Sequence, residues 1–353
     1  METALEIVDQ DLTYITDSLR DEFAAIRGER LLIVGGAGFL GYYLVQSAVK
    51  AGIDVTVYDN FSRGTPEWLL SLEKVTTVKH DITHPLPADA DFGYLIHAGS
   101  IASPTFYRNY PIETMDANVN GLRNLLDYSV GRGVKGFLFY SSSEIYGDPS
   151  PDAIPTPEDY RGLVSCTGPR ACYDEAKRYG ETLCVNFARV HGVPIKVARP
   201  FNNYGPGLKI TDRRVIPDFV RDVLAGRDIV MLSDGSPKRT FCYVADAVIG
   251  YYKILVQGGP GEAYNVGVET PEISMAELAE RIVALGRDLF GYTGKVVLQA
   301  PEDADYLIDN PNRRCPIITK ARTELGYNPT IGIDEGLRRS MLWYHGNRVA
   351  EDA

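Results

Sequence analysis

Residues 30–34 read Arg-Leu-Leu-Ile-Val, a short apolar run, and residues 39–51 follow with apolar positions three and four apart. Residues 54–58 then return to a valine-rich run. A buried strand, a helix and a second strand in that order make one βαβ unit. The alternation continues with strands over 75–80 and 94–97, a helix over 112–131, a strand over 136–140, a helix over 172–191 and a strand over 194–198. Strands separated by helices in this way predict an α/β fold, a doubly wound parallel sheet covered on both faces. Beyond residue 200 the rhythm breaks into turn-rich connections with helices over 216–225, 275–285 and 333–344. The pattern thus predicts a sheet domain over 29–200, with 237–266 returning to it, and a smaller substrate-facing lobe formed mainly by 201–345. Ahead of them, Leu12, Ile15, Leu19, Phe23 and Ile26 recur at helical spacing. They predict a helical extension over 1–28 that lies on the domain surface and need not touch the sheet domain. No internal repeat is present.

Bulk properties narrow the function. A chain of 353 residues is longer than one core ordinarily supports, so two lobes sharing a cleft are expected. The formal charge of -11 argues against a nucleic acid polymer or an anionic membrane as partner, since both need a broad face of lysine and arginine. Local cations at 209–214, 238–239 and 313–314 could still hold a small anion. The five cysteines include no Cys-x-x-Cys pair and are odd in number, which suggests neither a disulfide framework nor a bound metal. With no basic-then-apolar leader and no apolar run of membrane-spanning length, a cytoplasmic location is expected.

The stretch LLIVGGAGFLG places Gly35, Gly38 and Gly41 where the first strand turns into a helix, so that backbone amides can approach a pyrophosphate. On its own, such a loop could be a tight turn. Asp59, at the end of the next strand, adds a carboxylate suited to the ribose hydroxyls of NAD and repellent to the 2'-phosphate of NADP. Together they mark a Rossmann-type domain. Arg63 follows closely and reads as a solvated loop charge. Asp81 and Ile82, after the third strand, either flank an adenine or cap a turn. His97 reads as a packed imidazole.

Tyr173 and Lys177 stand four apart, on one face of a helix. A tyrosine is a poor base at neutral pH, but a neighbouring ammonium and a cationic nicotinamide favour its phenolate. Such a pair is common in helices by chance. Its company is not: Ser141, Ser142, Ser143 and Glu144 directly follow a strand, at the carboxyl edge where open α/β sheets bind ligands. A hydroxyl there can share the proton the tyrosine removes, and the carboxylate can act as a second acid or base.

Taken in order, GGAGFLG, YDN, SSSEIYGDP, CYDEAK and RPFNNYGP resemble the extended short-chain dehydrogenase/reductase family of nucleotide-sugar epimerases, dehydratases and decarboxylases, over roughly residues 30–345. IASPTFY, RACYDEAKRYGETL and SSSEIYGDP are most similar to its UDP-glucuronate decarboxylase branch, which makes UDP-xylose. The resemblance implies that NAD is held by Gly35, Gly38, Phe39, Leu40 and Gly41, by Asp59 and Asn60, by Asp81, Ile82 and Ala98, and by Tyr173 and Lys177. It implies a UDP-linked nucleotide sugar contacted by Tyr107, Asn202, Arg214, Arg239 and Arg314. Catalysis would fall to Tyr173, Lys177, Ser142, Ser143, Glu144 and Arg314, through a transient 4-keto sugar. It further implies a homodimer pairing the helices over 112–131 and 172–191.

Two departures from the branch lie near the sugar. Gly207 stands where an arginine is usual, and His97-Ala98-Gly99-Ser100 replaces the usual His-Leu-Ala-Ser. They leave a 4-epimerase open as an alternative. A 4,6-dehydratase is disfavoured by Ser143, which stands where those enzymes carry an aspartate. A plain NADPH-dependent ketoreductase is disfavoured by Asp59, and a catalytically dead NAD-binding regulator by the intact Tyr173, Lys177 and serine loop.

Overall fold

The computed structural model describes residues 2–64, 67–87, 89–300, 308 and 310–347. Seven parallel strands form the central sheet: β1 (Arg30–Val34), β2 (Asp54–Asp59), β3 (Val75–Lys79), β4 (Tyr94–His97), β5 (Gly136–Tyr140), β6 (Ile195–Pro200) and β7 (Ala263–Val266). Their spatial order is β7-β6-β5-β4-β1-β2-β3. Leu31 and Ile33 of β1 face one hydrophobic core and Leu32 and Val34 the other, and β5 divides its residues in the same way. Continuous apolar runs are therefore what a sheet with helices on both faces demands.

The strand order reverses between β1 and β4, and that is where the cleft opens. Val34 lies beside His97, and His97 beside Phe139, so three strands end level with one another. At this point β1 and β4 give way to glycine. A Cβ on Gly35, which has a φ of +80°, would lie 2.5 Å from Gly99 Cα.

The helix expected over 112–131 is broken into Pro111–Asp116, a widened π turn over Ala117–Gly121, and Leu122–Ser129. Gly121 is the reason it can sit so close to the sheet edge, because a Cβ there would meet Ile82 Cγ2 at 2.7 Å.

The residues beyond 200 do not separate cleanly from the sheet domain. β7 lies at one sheet edge, and Cys242–Tyr243 pairs with Asn203–Tyr204. In a small sheet of the lobe, Lys238–Arg239 pairs with Ile273–Ser274 on one side and Arg313–Arg314 on the other. That register sets Arg314 directly beside Arg239. Residues 301–307 and 309 of this lobe lie outside the described residues.

The N-terminal extension is helical, as α1 (Ala4–Ser18) and α2 (Arg20–Ile26), but it is no surface appendage. Ile15, Leu19, Phe23 and Ile26 are buried in the core that also holds Leu44 of the helix after the glycine loop, α3 (Phe39–Lys50). Asp11, wholly buried, accepts hydrogen bonds from the hydroxyls of Tyr43 (2.6 Å) and Tyr243 (2.5 Å) and from Arg339 (2.6 Å). Glu22 is likewise buried, against Lys253 and Gln257. The surface reading considered only the apolar stripe. The charges beside that stripe are what tie the extension to three separate parts of the chain.

Removing one partner of a buried ion pair leaves the other uncompensated. Asp11→Ala should therefore destabilise the protein by about 3–5 kcal/mol. A thermal melt followed by circular dichroism should show a midpoint several degrees lower, and an unchanged midpoint would return the extension to the surface role.

Candidate active site

All the catalytic, cofactor-binding and substrate-binding residues expected from the resemblance line one cleft of 920 Å³ between the sheet edge and the C-terminal lobe. Its first wall is the glycine loop. α3 starts after Gly38 without a side-chain cap, so the amides of its first turn have no intrahelical partner, and Gly38, Phe39, Leu40 and Gly41 line the cleft. Gly41 admits no larger residue, since a Cβ there would overlap the Gly36 carbonyl. Asp59 holds it in shape: its carboxylate accepts from the Ala37 amide at 3.0 Å and the Phe61 amide at 2.8 Å. A carboxylate offers more acceptor sites than these two bonds use, which leaves capacity for ribose hydroxyls. These features fit a dinucleotide.

Asp81 caps a turn through the Thr83 amide (3.0 Å) and hydroxyl (2.8 Å), and receives the Asn60 side chain at 3.3 Å. Both it and Ile82 also line the cleft, so the two readings of Asp81 coexist. Ala98 continues the ladder of β4 by donating to Val34 at 2.9 Å. His97 contacts the Ala117 carbonyl through Nε2 at 3.2 Å, and burial pushes its pKa down to about 3, so the ring is neutral.

The second wall is the helix Ala171–His191 with the loop after β5. Burial pushes the Tyr173 hydroxyl up to about 12, against the lowering effect of its hydrogen bond with Ser142. Lys177 donates to the Tyr140 carbonyl at 2.6 Å, and burial pushes its ammonium down to about 7. Its Nζ lies 5.5 Å from the centre of the Tyr173 ring. The expectation that lysine helps to hold a phenolate therefore needs amending. Within the polypeptide desolvation wins, and the balance awaits a cation beside the tyrosine, which is what an oxidised nicotinamide supplies. Tyr107 stacks on Tyr173 with ring centres 5.0 Å apart and an 11° tilt. Its buried hydroxyl has no hydrogen-bond partner among the described residues.

Glu144 is the electrostatic centre of the site. Arg314 grips it in a bidentate pair, the second contact at 2.8 Å, and Arg170 binds the same carboxylate. These guanidinium groups hold the Glu144 carboxyl well below the usual carboxylate range despite burial. Sequence reasoning missed Arg170, although it immediately precedes the helix of Tyr173 and is a cation at the carboxyl edge of the sheet. Arg239 lies next to Arg314 but donates to the carbonyls of Lys238, Pro311 and Asn312 and to the Asn310 side chain. Burial and the neighbouring Arg314 push it down to about 9. Three buried arginines thus meet two carboxylates, Glu144 and the buried Asp174, the latter 3.9 Å from Arg170, which leaves a local excess of one positive charge suited to an anionic substrate.

Arg214 pairs through Nε with Asp212 at 3.0 Å, and Asn202, in a left-handed conformation, donates to the Thr240 carbonyl at 2.9 Å. Arg63 is not the solvated charge expected. It pairs with Asp212 at 3.1 Å and lies over the ring of Phe106 at 3.2 Å. Gly207 also has a structural cause, because it adopts a φ of +90° and a Cβ there would meet Tyr42 Cβ at 2.5 Å. An arginine does not fit that backbone as it stands.

Comparison with known proteins places this geometry. Residues 31–267 match the model of the NAD dependent epimerase/dehydratase family. The chain is 38% identical over 312 residues to UDP-glucuronic acid decarboxylase 3 of Arabidopsis thaliana, covering 87% of this chain and 86% of that protein. Among solved structures, UDP-glucose 4-epimerase of Thermotoga maritima with UDP-glucose superposes with a TM-score of 0.78 at 26% identity, over 89% of this chain and 98% of that one. The dTDP-glucose 4,6-dehydratase of Streptomyces venezuelae, solved with NAD bound, does so with a TM-score of 0.79 at 25% identity, over 90% and 98%. With the glycine loop, Asp59 and the Tyr173/Lys177 pair gathered in one cleft, the chain belongs to the NAD-dependent epimerase/dehydratase family.

Proposed function

We propose that this protein decarboxylates UDP-glucuronate to UDP-xylose, with catalysis carried by Tyr173, Lys177, Ser142, Ser143, Glu144 and Arg314, and with Arg170 added to them. The observation that carries the proposal is the double guanidinium clamp on Glu144 beside Tyr173, in a chain 38% identical to a UDP-glucuronic acid decarboxylase. NAD, which the glycine loop and Asp59 would hold, would supply the hydride acceptor and donor for the sugar C4.

Tyr173 takes the proton of the 4-hydroxyl, with Ser142 sharing it. The resulting ketone lies β to the sugar carboxylate, so carbon dioxide leaves with its bonding electrons drawn into that ketone. Donation from Tyr173 and Ser142 stabilises the enolate formed. Arg170 and Arg314 are the groups a substrate carboxylate would seek, and Glu144 already occupies them. Two carboxylates sharing these cations raise one another's pKa. Glu144 then takes up a proton from solvent and changes from a fixed counter-ion into a proton donor for C5. Arg214, Arg239 and Asn202 hold the diphosphate side of the substrate, and Tyr107 orients the sugar over the Tyr173 ring.

Exposed apolar residues on neighbouring helices support a quaternary arrangement. Ile112 and Met115 on Pro111–Asp116 and Tyr179 and Val185 on Ala171–His191 are exposed in this chain. Pairing these helices with those of a second copy would cover all four, which supports a homodimer. All five cysteines are free thiols, which suits the reducing cytoplasm. No helix among the described residues is long and apolar enough to cross a membrane.

Incubation with UDP-glucuronate and NAD+ in D2O, followed by NMR, should yield UDP-xylose carrying deuterium at C5. UDP-galacturonate would instead establish 4-epimerisation, and an unchanged sugar would refute a UDP-uronate substrate. Loss of one guanidinium lets the Glu144 pKa rise, so in Arg170→Gln the alkaline limb of the kcat profile, where Glu144 loses its proton in the substrate complex, should move up by about one pH unit or more. An unmoved limb would separate Arg170 from the Glu144 charge. Replacing Val185 with glutamate should shift sedimentation equilibrium from dimer to monomer; a wild-type monomer would rule the pairing out.

A further inference from the structure

Arg63 leaves the loop after β2 on the cofactor side of the cleft, and both of its partners lie elsewhere. Its guanidinium sits 3.2 Å from the centre of the Phe106 ring, on the helix Pro104–Asn109, and 3.1 Å from the Asp212 carboxylate, in the loop that leads to Arg214. All three line the cleft.

Each end of this bridge is anchored. On the cofactor side, Asp59 binds the amides of both Ala37 and Phe61, and so joins the glycine loop to the loop that carries Arg63. Gly64 packs so tightly on the glycine loop that a Cβ there would lie 2.6 Å from that of Ala37. On the far side, Ser103 donates to the Asp212 carbonyl at 2.6 Å, and the buried Asp212 carboxylate also forms an ion pair with Arg214 at 3.0 Å. A planar cation between an aromatic face and a buried carboxylate gains from both, and both contacts must break for the loops to part.

We propose that Arg63, held between Phe106 and Asp212, is a strap across the cofactor half of the cleft that retains NAD between turnovers. Every step of a redox-neutral reaction uses the same cofactor molecule, so the site has no need to exchange it. The strap also accounts for an arginine following Asp59 in an NAD enzyme, because its charge is committed to Asp212 and not directed at a 2'-phosphate. The inference rests on NAD binding and is independent of which sugar is turned over.

The test loads the full-length protein with NADH, chases it with excess NAD+ and follows the loss of bound-NADH fluorescence, with no sugar present. Arg63→Met should release NADH about tenfold faster than the wild type, a difference of about 1.4 kcal/mol. Arg63→Lys keeps the ion pair and loses the flat face on Phe106, so its release rate should fall between the two. Melting midpoints matching the wild type would show that the change is in the strap and not in the fold. A release rate for Arg63→Met within about twofold of wild type, from a protein of unchanged midpoint, would overturn the proposal.

Discussion

Two strand ends meet in this protein with no side chain between them. β1 and β4 finish level, and the backbone of Gly35 passes so close to Gly99 that a single Cβ would not fit. Because the connections from these neighbouring strands then diverge to opposite faces of the sheet, a crevice opens at their carboxyl ends. The uncapped first turn of α3 lines that crevice, and the loops after β4 and β5 bring Ala98 and the serine run to it. Tyr173 and Lys177 arrive on a helix that packs against the same edge. The chemistry is possible only where those backbones are allowed to touch.

Around the crevice the protein relies on buried carboxylates to join distant segments. Asp11 ties the N-terminal helix to α3 and to the C-terminal helix, and Asp59 ties the glycine loop to the loop after β2. Asp212 ties two arginines from opposite walls, and Glu144 gathers Arg170 and Arg314. A buried charge is expensive unless its partners are in place, so each of these contacts tolerates few alternative arrangements. The same property suits Glu144 to the proton-donor role proposed for it. A carboxylate held ionised by guanidinium groups responds sharply when a second anion competes for them. Tyr173 and Lys177 show the converse, where burial pushes both toward their neutral forms and leaves the charge state to be decided by what binds beside them.

Much of this was legible in the sequence because it depends on local rules. Strand and helix periods follow from which face of an element is buried, and glycines in a strand-to-helix turn follow from the room a backbone needs. The four-residue spacing of Tyr173 and Lys177 follows from helix geometry alone. The α/β fold, the sheet domain and the positions of the glycine loop, Asp59 and the serine run could therefore be read before any coordinates. What could not be read was whom each charge would meet. Arg170, Arg63 and Asp11 look like ordinary polar residues at their positions, and nothing within a few residues of them announces Glu144, Asp212 or Arg339. Their partners lie 26 to 328 positions away in sequence. Long-range pairing of buried charges is set by how helices and loops pack, and only the tertiary structure decided it. The break in the helix over 112–131 and the glycine at 207 belong with these, since each answers to a neighbour from a distant part of the chain. Sequence alone determined the class of chemistry, while packing decided the charges that surround it.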